Sequence, residues 1–87
     1  MARPMGPKRF VYLLKSDSTG ERYYGLTSDI DARLAAHNAG MNTSTARARP
    51  WSLVTLIQFS HEAPARKFED FIKSGSGRAF AKRHLES

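Results

Sequence analysis

Apolar residues open the chain's first ordered stretch as one unbroken run, Phe10, Val11, Tyr12, Leu13 and Leu14, rich in side chains that favour a pleated strand. The segment "SDSTG" over 16–20 supplies turn chemistry, and a second run follows over 22–26, so the pattern predicts a β-hairpin. Side chains alternate across a strand, which puts Phe10, Tyr12 and Leu14 on one face and Tyr23 with Gly25 on one face of the return strand. The two tyrosines can then meet, although the pattern leaves the register open.

"TSDIDARLAAHNAG" predicts a helix over 29–38, with Ser28 as N-cap, Asp29 and Asp31 in the first turn where the helix dipole favours negative charge, and Gly40 past the end. Ile30 and Leu34 mark its buried stripe, and Arg33 and His37 fall beside that stripe, one turn apart. A polar loop is expected over 40–50 and a third strand over 51–59. Ser60 is the expected cap of a helix that tolerates Pro64 in its first turn and runs to 74, where "GSG" should break it. Ala65, Phe68 and Ile72 form that helix's apolar stripe, and Glu69 falls within it. A last short helix over 77–84 should carry Arg78, Lys82 and Arg83 outward and Phe80 and Leu85 inward. The order β-β-α-β-α-α defines an α+β domain: a small three-stranded sheet, antiparallel or mixed, flanked by helices. Residues 1–8 read as a flexible arm and 9–85 as a single domain.

With 87 residues the chain suits one core and one site. It contains no cysteine, so neither a disulfide framework nor a thiolate metal site holds it together. The basic start has no apolar stretch behind it and no run approaches a membrane span, so a cytoplasmic protein without a membrane partner is expected. Fourteen Lys and Arg against eight Asp and Glu give a formal charge of +6. That excess suits a polyanion, since each phosphate neutralised releases condensed counterions. A solvated basic surface without a partner accounts for charge alone equally well, so the chemistry of particular residues must decide.

Those residues are Tyr12, Tyr23, Arg33, His37 and Glu69. Each has an ordinary explanation: a strand tyrosine packs with its hydroxyl at the edge, an arginine lies along a helix surface, and a histidine fills a structural place. Glu69 is harder to explain as packing, because a carboxylate within an apolar stripe needs an ion partner, water or a bound cation. Arg66, Lys67 and Lys73 are near enough in sequence to pair with it. A lone carboxylate suits a hard cation that keeps its waters and completes its shell with phosphate oxygens. Taken together, phenol, guanidinium, imidazole and carboxylate are the groups that phosphodiester hydrolysis uses.

On these residues the chain resembles the GIY-YIG nuclease family, in particular its small stand-alone members. "FVY" at 10–12 and "YYG" at 23–25 stand where the family carries its two tripeptides. "LTSDIDARLAAHN" is similar to the helix with the family's arginine, selecting Arg33 and then His37. "RPWSLV" and "ARKFEDFIKSGSGRAFAKRHL" are similar to the third-strand and glutamate-helix segments, selecting Glu69. The match covers residues 9–85. Phe10 replaces a glycine and Tyr24 an isoleucine, while Tyr12, Tyr23 and Gly25 are kept. Leu26 and His37 stand where the similar N-terminal module of the repair nuclease UvrC has lysine and tyrosine, which places the chain nearer the histidine-bearing branch. No counterpart is evident for the asparagine that some members carry after the glutamate helix.

The resemblance implies a metal-dependent endonuclease hydrolysing DNA, with Mg2+ or Mn2+ on Glu69, Arg33 on the scissile phosphate, and Tyr12, Tyr23 and His37 orienting and activating water. Which of those three accepts the proton stays open. Arg47, Arg49, Arg78, Lys82 and Arg83 are expected to grip flanking phosphates, giving structure preference or weak specificity in repair or recombination. A protein partner would supply further specificity. The rival readings are a non-catalytic nucleic-acid-binding module on the same fold, and a metabolic or structural protein with a basic surface.

Overall fold

A computed structural model describes residues 6–86, so most of the arm expected over 1–8 lies outside the described residues. At its end Lys8 is already tied down, its backbone N–H donating to Glu62 Oε1 at 2.7 Å. The elements are β1 (Phe10–Ser16), β2 (Arg22–Thr27), α1 (Ile30–Asn38), α2 (Thr43–Ala46), β3 (Trp51–Gln58), α3 (Glu62–Ile72) and α4 (Gly75–His84). The three strands form one antiparallel sheet in the order β2-β1-β3. The α+β architecture is therefore as expected, with one short helix added inside the polar loop.

Each strand face carries its own core, as alternation requires. Val11 and Leu26 pack with Ala65 and Ile72 of α3, joined by Tyr24, Phe59, Phe68 and Leu85. On the opposite face Tyr12 and Leu14 pack with Ala48 and Trp51, joined by Tyr23, Ile30 and Leu34. The sheet thus lies between α1 and α2 on one side and α3 and α4 on the other. Phe80, expected to point inward, is 40% exposed, although its ring meets Phe68 and Phe71 edge-on.

β3 reaches both cores because its pairing with β1 slips between Leu13 and Leu14. Thr55 lies opposite Leu13 while Leu53 lies opposite Leu14, so one residue is extra and the side-chain alternation reverses across it. Trp51 accordingly joins the Tyr12 face, whereas Thr55 donates to the Leu85 carbonyl on the α4 side at 2.6 Å. A regular strand would have put both on the same side.

Local chemistry shifts several boundaries. Ser16 ends β1 rather than opening the turn: its hydroxyl donates to the Ala48 carbonyl at 2.6 Å and accepts the backbone N–H groups of Ser18 and Thr19. Asp29, not Ser28, caps α1, accepting from Ala32 N–H at 3.2 Å. Helix α1 ends as its glycine predicts: Gly40 takes φ +78°, Gly40 N–H bonds the His37 carbonyl and Met41 N–H bonds the Ala36 carbonyl. His61, without a side-chain capping bond, replaces Ser60 at the start of α3. The "GSG" segment does not break a helix but opens one, with Ser74 capping α4 through Gly77 N–H at 3.2 Å.

Gly77 is what lets α4 turn back against the end of α3. A Cβ there would stand 2.6 Å from Ile72 Cα and closer still to the Phe71 carbonyl, both backbone atoms with little room to yield. Nothing lies near a Cβ built at Gly75. Gly77→Ala should therefore destabilise the fold by about 1–3 kcal/mol, while Gly75→Ala should be neutral or stabilising by up to about 1 kcal/mol, as read by urea denaturation.

Candidate active site

The register answers the question left open by the strand pattern. Tyr12 faces Gly25 and Tyr23 faces Leu14, so the two tyrosines are diagonal neighbours on one face with ring centroids 6.3 Å apart. Gly25 is required here: a Cβ at that position would overlap the Tyr12 ring, 2.7 Å from Cε1 and closer to Cζ and the hydroxyl. Tyr12 is buried in the central strand, and Tyr23 is half-buried on the edge strand β2.

Burying a phenol without a partner is costly, and the partner is His37. Tyr12 Oη lies 3.0 Å from His37 Nε2, and His37 Nδ1 lies 2.8 Å from Thr45 Oγ1. Thr45 in turn donates its hydroxyl proton to the Asn42 carbonyl at 3.3 Å. With that proton engaged, Thr45 has only lone pairs for the histidine, an order that assigns the imidazole hydrogen to Nδ1 and leaves Nε2 to accept from Tyr12. The chain of donors runs from Tyr12 through His37 and Thr45 to the α2 N-terminus. Tyr23 closes over it, its ring 5.0 Å from the His37 ring and 6.3 Å from that of Trp51. Trp51 is fixed by its indole N–H on the Thr45 carbonyl and by Asn38, which brackets its backbone N–H and carbonyl at 2.6 and 3.0 Å.

The electrostatics keep the ring in its neutral form. Burial, with the Arg33 charge one turn away, holds His37 below its ordinary value of 6.5, so the imidazole is neutral at neutral pH. Burial pushes the Tyr12 phenol well up, with Tyr23 and Glu69 adding to the rise and Arg33 opposing it. Arg33 and Glu69 are thus within electrostatic reach of the Tyr12 phenol, while direct contacts join Tyr12, Tyr23 and His37. Arg33 is half-buried and, with His37, Ala36, Met41 and Asn42, lines a cavity of about 240 Å³.

Glu69 keeps 15% of its side chain exposed, and its partner is Lys73 Nζ at 3.1 Å on the same helix. Among the described residues no three His, Cys, Asp or Glu side chains converge as a cage. Glu69 thus offers one carboxylate, the donor set suited to a hydrated hard cation that shares its shell with a phosphate.

The five basic residues expected at the periphery separate. Arg78 and Lys82 line a cleft of about 420 Å³ together with Tyr23. Arg83 is exposed on α4 without lining it. Arg47 is ion-paired with Glu21 at 2.9 Å, and Arg49 donates to the Ala46 carbonyl at 2.9 Å. Thr45, Asn42, Asn38 and Trp51 are participants that the strand and helix patterns did not single out; an Asn-x-x-Thr pair within the polar loop was the one available sign of a capped turn.

A three-stranded sheet between helices thus carries a tyrosine-histidine pair, with an arginine and a glutamate within electrostatic reach of the phenol. The family model described as the GIY-YIG catalytic domain matches residues 8–83. A UPF0213 protein of Staphylococcus haemolyticus is 37% identical over 70 residues, covering 79% of this chain and 84% of that one. The structure-specific endonuclease subunit slx1 of Schizosaccharomyces pombe is 42% identical over 65 residues, 67% of this chain and 24% of that longer protein. The solution NMR structure of a UPF0213 protein from Bacillus halodurans superposes with a TM-score of 0.54 at 30% identity, covering 87% of this chain and 81% of that one. This chain belongs to the GIY-YIG family. Among its described residues no helix is long and apolar enough to cross a membrane.

The low position of His37 fixes the sign of a pH effect. The unfolded chain takes up a proton near 6.5 and the folded chain only at lower pH, so stability is present above 6.5 and is lost as pH falls through the folded value. Thermal melting of the wild type should decline below pH 6.5, and His37→Gln should flatten that decline while lowering stability at neutral pH.

Proposed function

We propose that this protein is a divalent-metal-dependent endonuclease that hydrolyses phosphodiester bonds in DNA. The observation that carries the reading is the buried Tyr12–His37 hydrogen bond, with a neutral imidazole at its far end and Arg33 and Glu69 acting on the same phenol. The fold alone requires an acceptor for so buried a phenol, and hydrolysis in addition needs a path for the proton leaving water, which this bond supplies.

Tyr12 is poorly suited to act as a standing phenolate, because burial and neighbouring negative charge favour its neutral form. It acts instead as a relay. An attacking water gives its proton to Tyr12 Oη as Tyr12 gives its own to His37 Nε2, and the resulting imidazolium keeps its Nδ1–H on Thr45. Tyr23, half-buried at the cleft, orients the water. Arg33 neutralises charge growing on the phosphate oxygens. Glu69 would hold Mg2+ or Mn2+ after displacing Lys73, and such an ion supplies charge neutralisation and polarisation of a phosphate oxygen.

The likeness to a structure-specific endonuclease subunit supports flaps, branches or nicks as preferred substrates, a role in repair or recombination, and a protein partner that supplies selectivity. The small domain and its +6 charge are compatible with binding backbone rather than base edges.

End-labelled duplex, single-stranded, flap and four-way-junction DNA, each incubated with Mg2+, Mn2+ or EDTA, tests the reading. Metal-dependent cutting is expected, falling by about 10²–10⁴-fold in Tyr12→Phe and vanishing in Glu69→Ala while DNA binding persists. Binding without cutting in either metal would instead favour the idle binding module on the same fold.

A further inference from the structure

The cleft at the β2 edge is more than a rim of the site. Arg22, Lys73, Arg78 and Lys82 converge on its space of about 420 Å³, and among the described residues Glu86 is the carboxylate that lines it. That carboxylate is already engaged: Tyr24 Oη donates to Glu86 Oε2 at 2.9 Å, and Arg22 Nε lies 3.4 Å from Oε1. Arg22 Nε is shielded from solvent within that ion pair, and Arg22 Nη1 donates to the Gly20 carbonyl at 3.2 Å. Arg78 spends its Nε on the Lys73 carbonyl at 3.3 Å, leaving its terminal nitrogens for the cleft, and Lys82 forms no ion pair among the described residues. Arg22 is paired with Glu86 and Lys73 with Glu69, so Arg78 and Lys82 carry the uncompensated charge of a space within the range of ligand pockets, and that charge calls for an oxyanion.

Two lining residues also touch the candidate active site. Tyr23 packs on Tyr12 and His37, and Lys73 reaches Glu69. An anion in the cleft is therefore a neighbour of whatever occupies that site.

We propose that this cleft is a phosphate-binding site for the nucleic-acid strand, holding a phosphate adjacent to the bond that is cut. The assignment rests on the nuclease reading for its substrate class, and on the convergence of Arg22, Lys73, Arg78 and Lys82 for its position. It separates Arg78 and Lys82, which hold a defined phosphate, from Arg47, Arg49 and Arg83, which lie outside the cleft. It also gives Tyr23 two neighbours, water on one side and strand on the other.

The test measures binding in EDTA, where nothing is cut, by anisotropy of an internally labelled oligonucleotide carrying no terminal phosphate, a 5′-phosphate or a 3′-phosphate, with inorganic phosphate as competitor. The variants are Arg78→Ala/Lys82→Ala and, as a control, Lys67→Ala, an exposed cation of α3 outside the cleft. The double variant should bind about tenfold or more weakly, the scale of a lost charge-assisted contact, with a salt slope reduced by about 1 per phosphate contact removed. Melting temperature should fall little, since both side chains are exposed and only the long Arg78 bond to the Lys73 carbonyl is lost.

An affinity gain from one terminal phosphate, abolished in the double variant, assigns the cleft to a strand end. Equal affinity for all three oligonucleotides, still lost in the double variant, assigns it to an internal phosphate. Competition by millimolar inorganic phosphate in the wild type, but not in the double variant, supports either source. A double variant that binds like Lys67→Ala overturns the proposal, even if the wild type cuts DNA. A wild type that never cuts, yet binds through Arg78 and Lys82, contradicts the nuclease reading and leaves the cleft assignment standing.

Discussion

A tyrosine hydroxyl buried in the central strand of a small sheet must be hydrogen-bonded, and much of this fold serves that requirement. Gly25 clears the space over which the Tyr12 ring lies. His37 supplies the acceptor at 3.0 Å, and it can do so only with its hydrogen on the other nitrogen. Thr45 secures that arrangement from α2, whose own start is fixed by the Asn42 side chain accepting from Ser44 N–H. The glycine-ended turn after α1 brings the chain back so that α2 can reach the imidazole. Asn38 and Trp51 then lock α1, α2 and β3 together around the same point. Removing Tyr12's hydroxyl would leave a buried acceptor unpaired, a loss of about 1–3 kcal/mol, which couples the stability of this face to the group that the proposed chemistry uses.

The edge position of β2 explains how residues from both layers act on one place. The Tyr12 core belongs to the α1 side of the sheet and Glu69 to a helix on the other side, with the central strand between them. At an outer strand the two layers meet around the rim. Tyr23 stands there, in contact with His37 inward and lining the basic cleft outward with Ile72 and Lys73. The site is thus a seam between layers, and it needs no deep cavity to bring a phenol, a guanidinium and a carboxylate within electrostatic reach.

Period-two alternation made the shared face of Tyr12 and Tyr23 readable in the chain, and helical spacing did the same for Arg33 with His37. Glu69 stood out because a carboxylate in an apolar stripe has to be explained. Thr45 escaped notice because a threonine in a polar loop has no periodicity to mark it, and its role depends on His37 eight residues away in sequence. The slip in β3 was equally hidden: one extra residue in an apolar strand leaves no trace until its partner strand is known. Arg47 read as free for phosphate, yet its partner Glu21 lies 26 positions upstream, across a turn whose approach only the fold reveals. At "GSG" the glycines read as a breaker, whereas the deciding fact was the absence of a side chain where α4 meets α3.

The proton path through Tyr12 depends on which nitrogen of His37 carries hydrogen, and long-range ¹H–¹⁵N NMR correlation of the ring reports that directly. The hydrogen-bond order requires protonated Nδ1 and bare Nε2 at neutral pH, with the Nε2 resonance shifting in Tyr12→Phe. A ring protonated at Nε2 would present a donor to Tyr12, close the path from phenol to imidazole, and contradict the account.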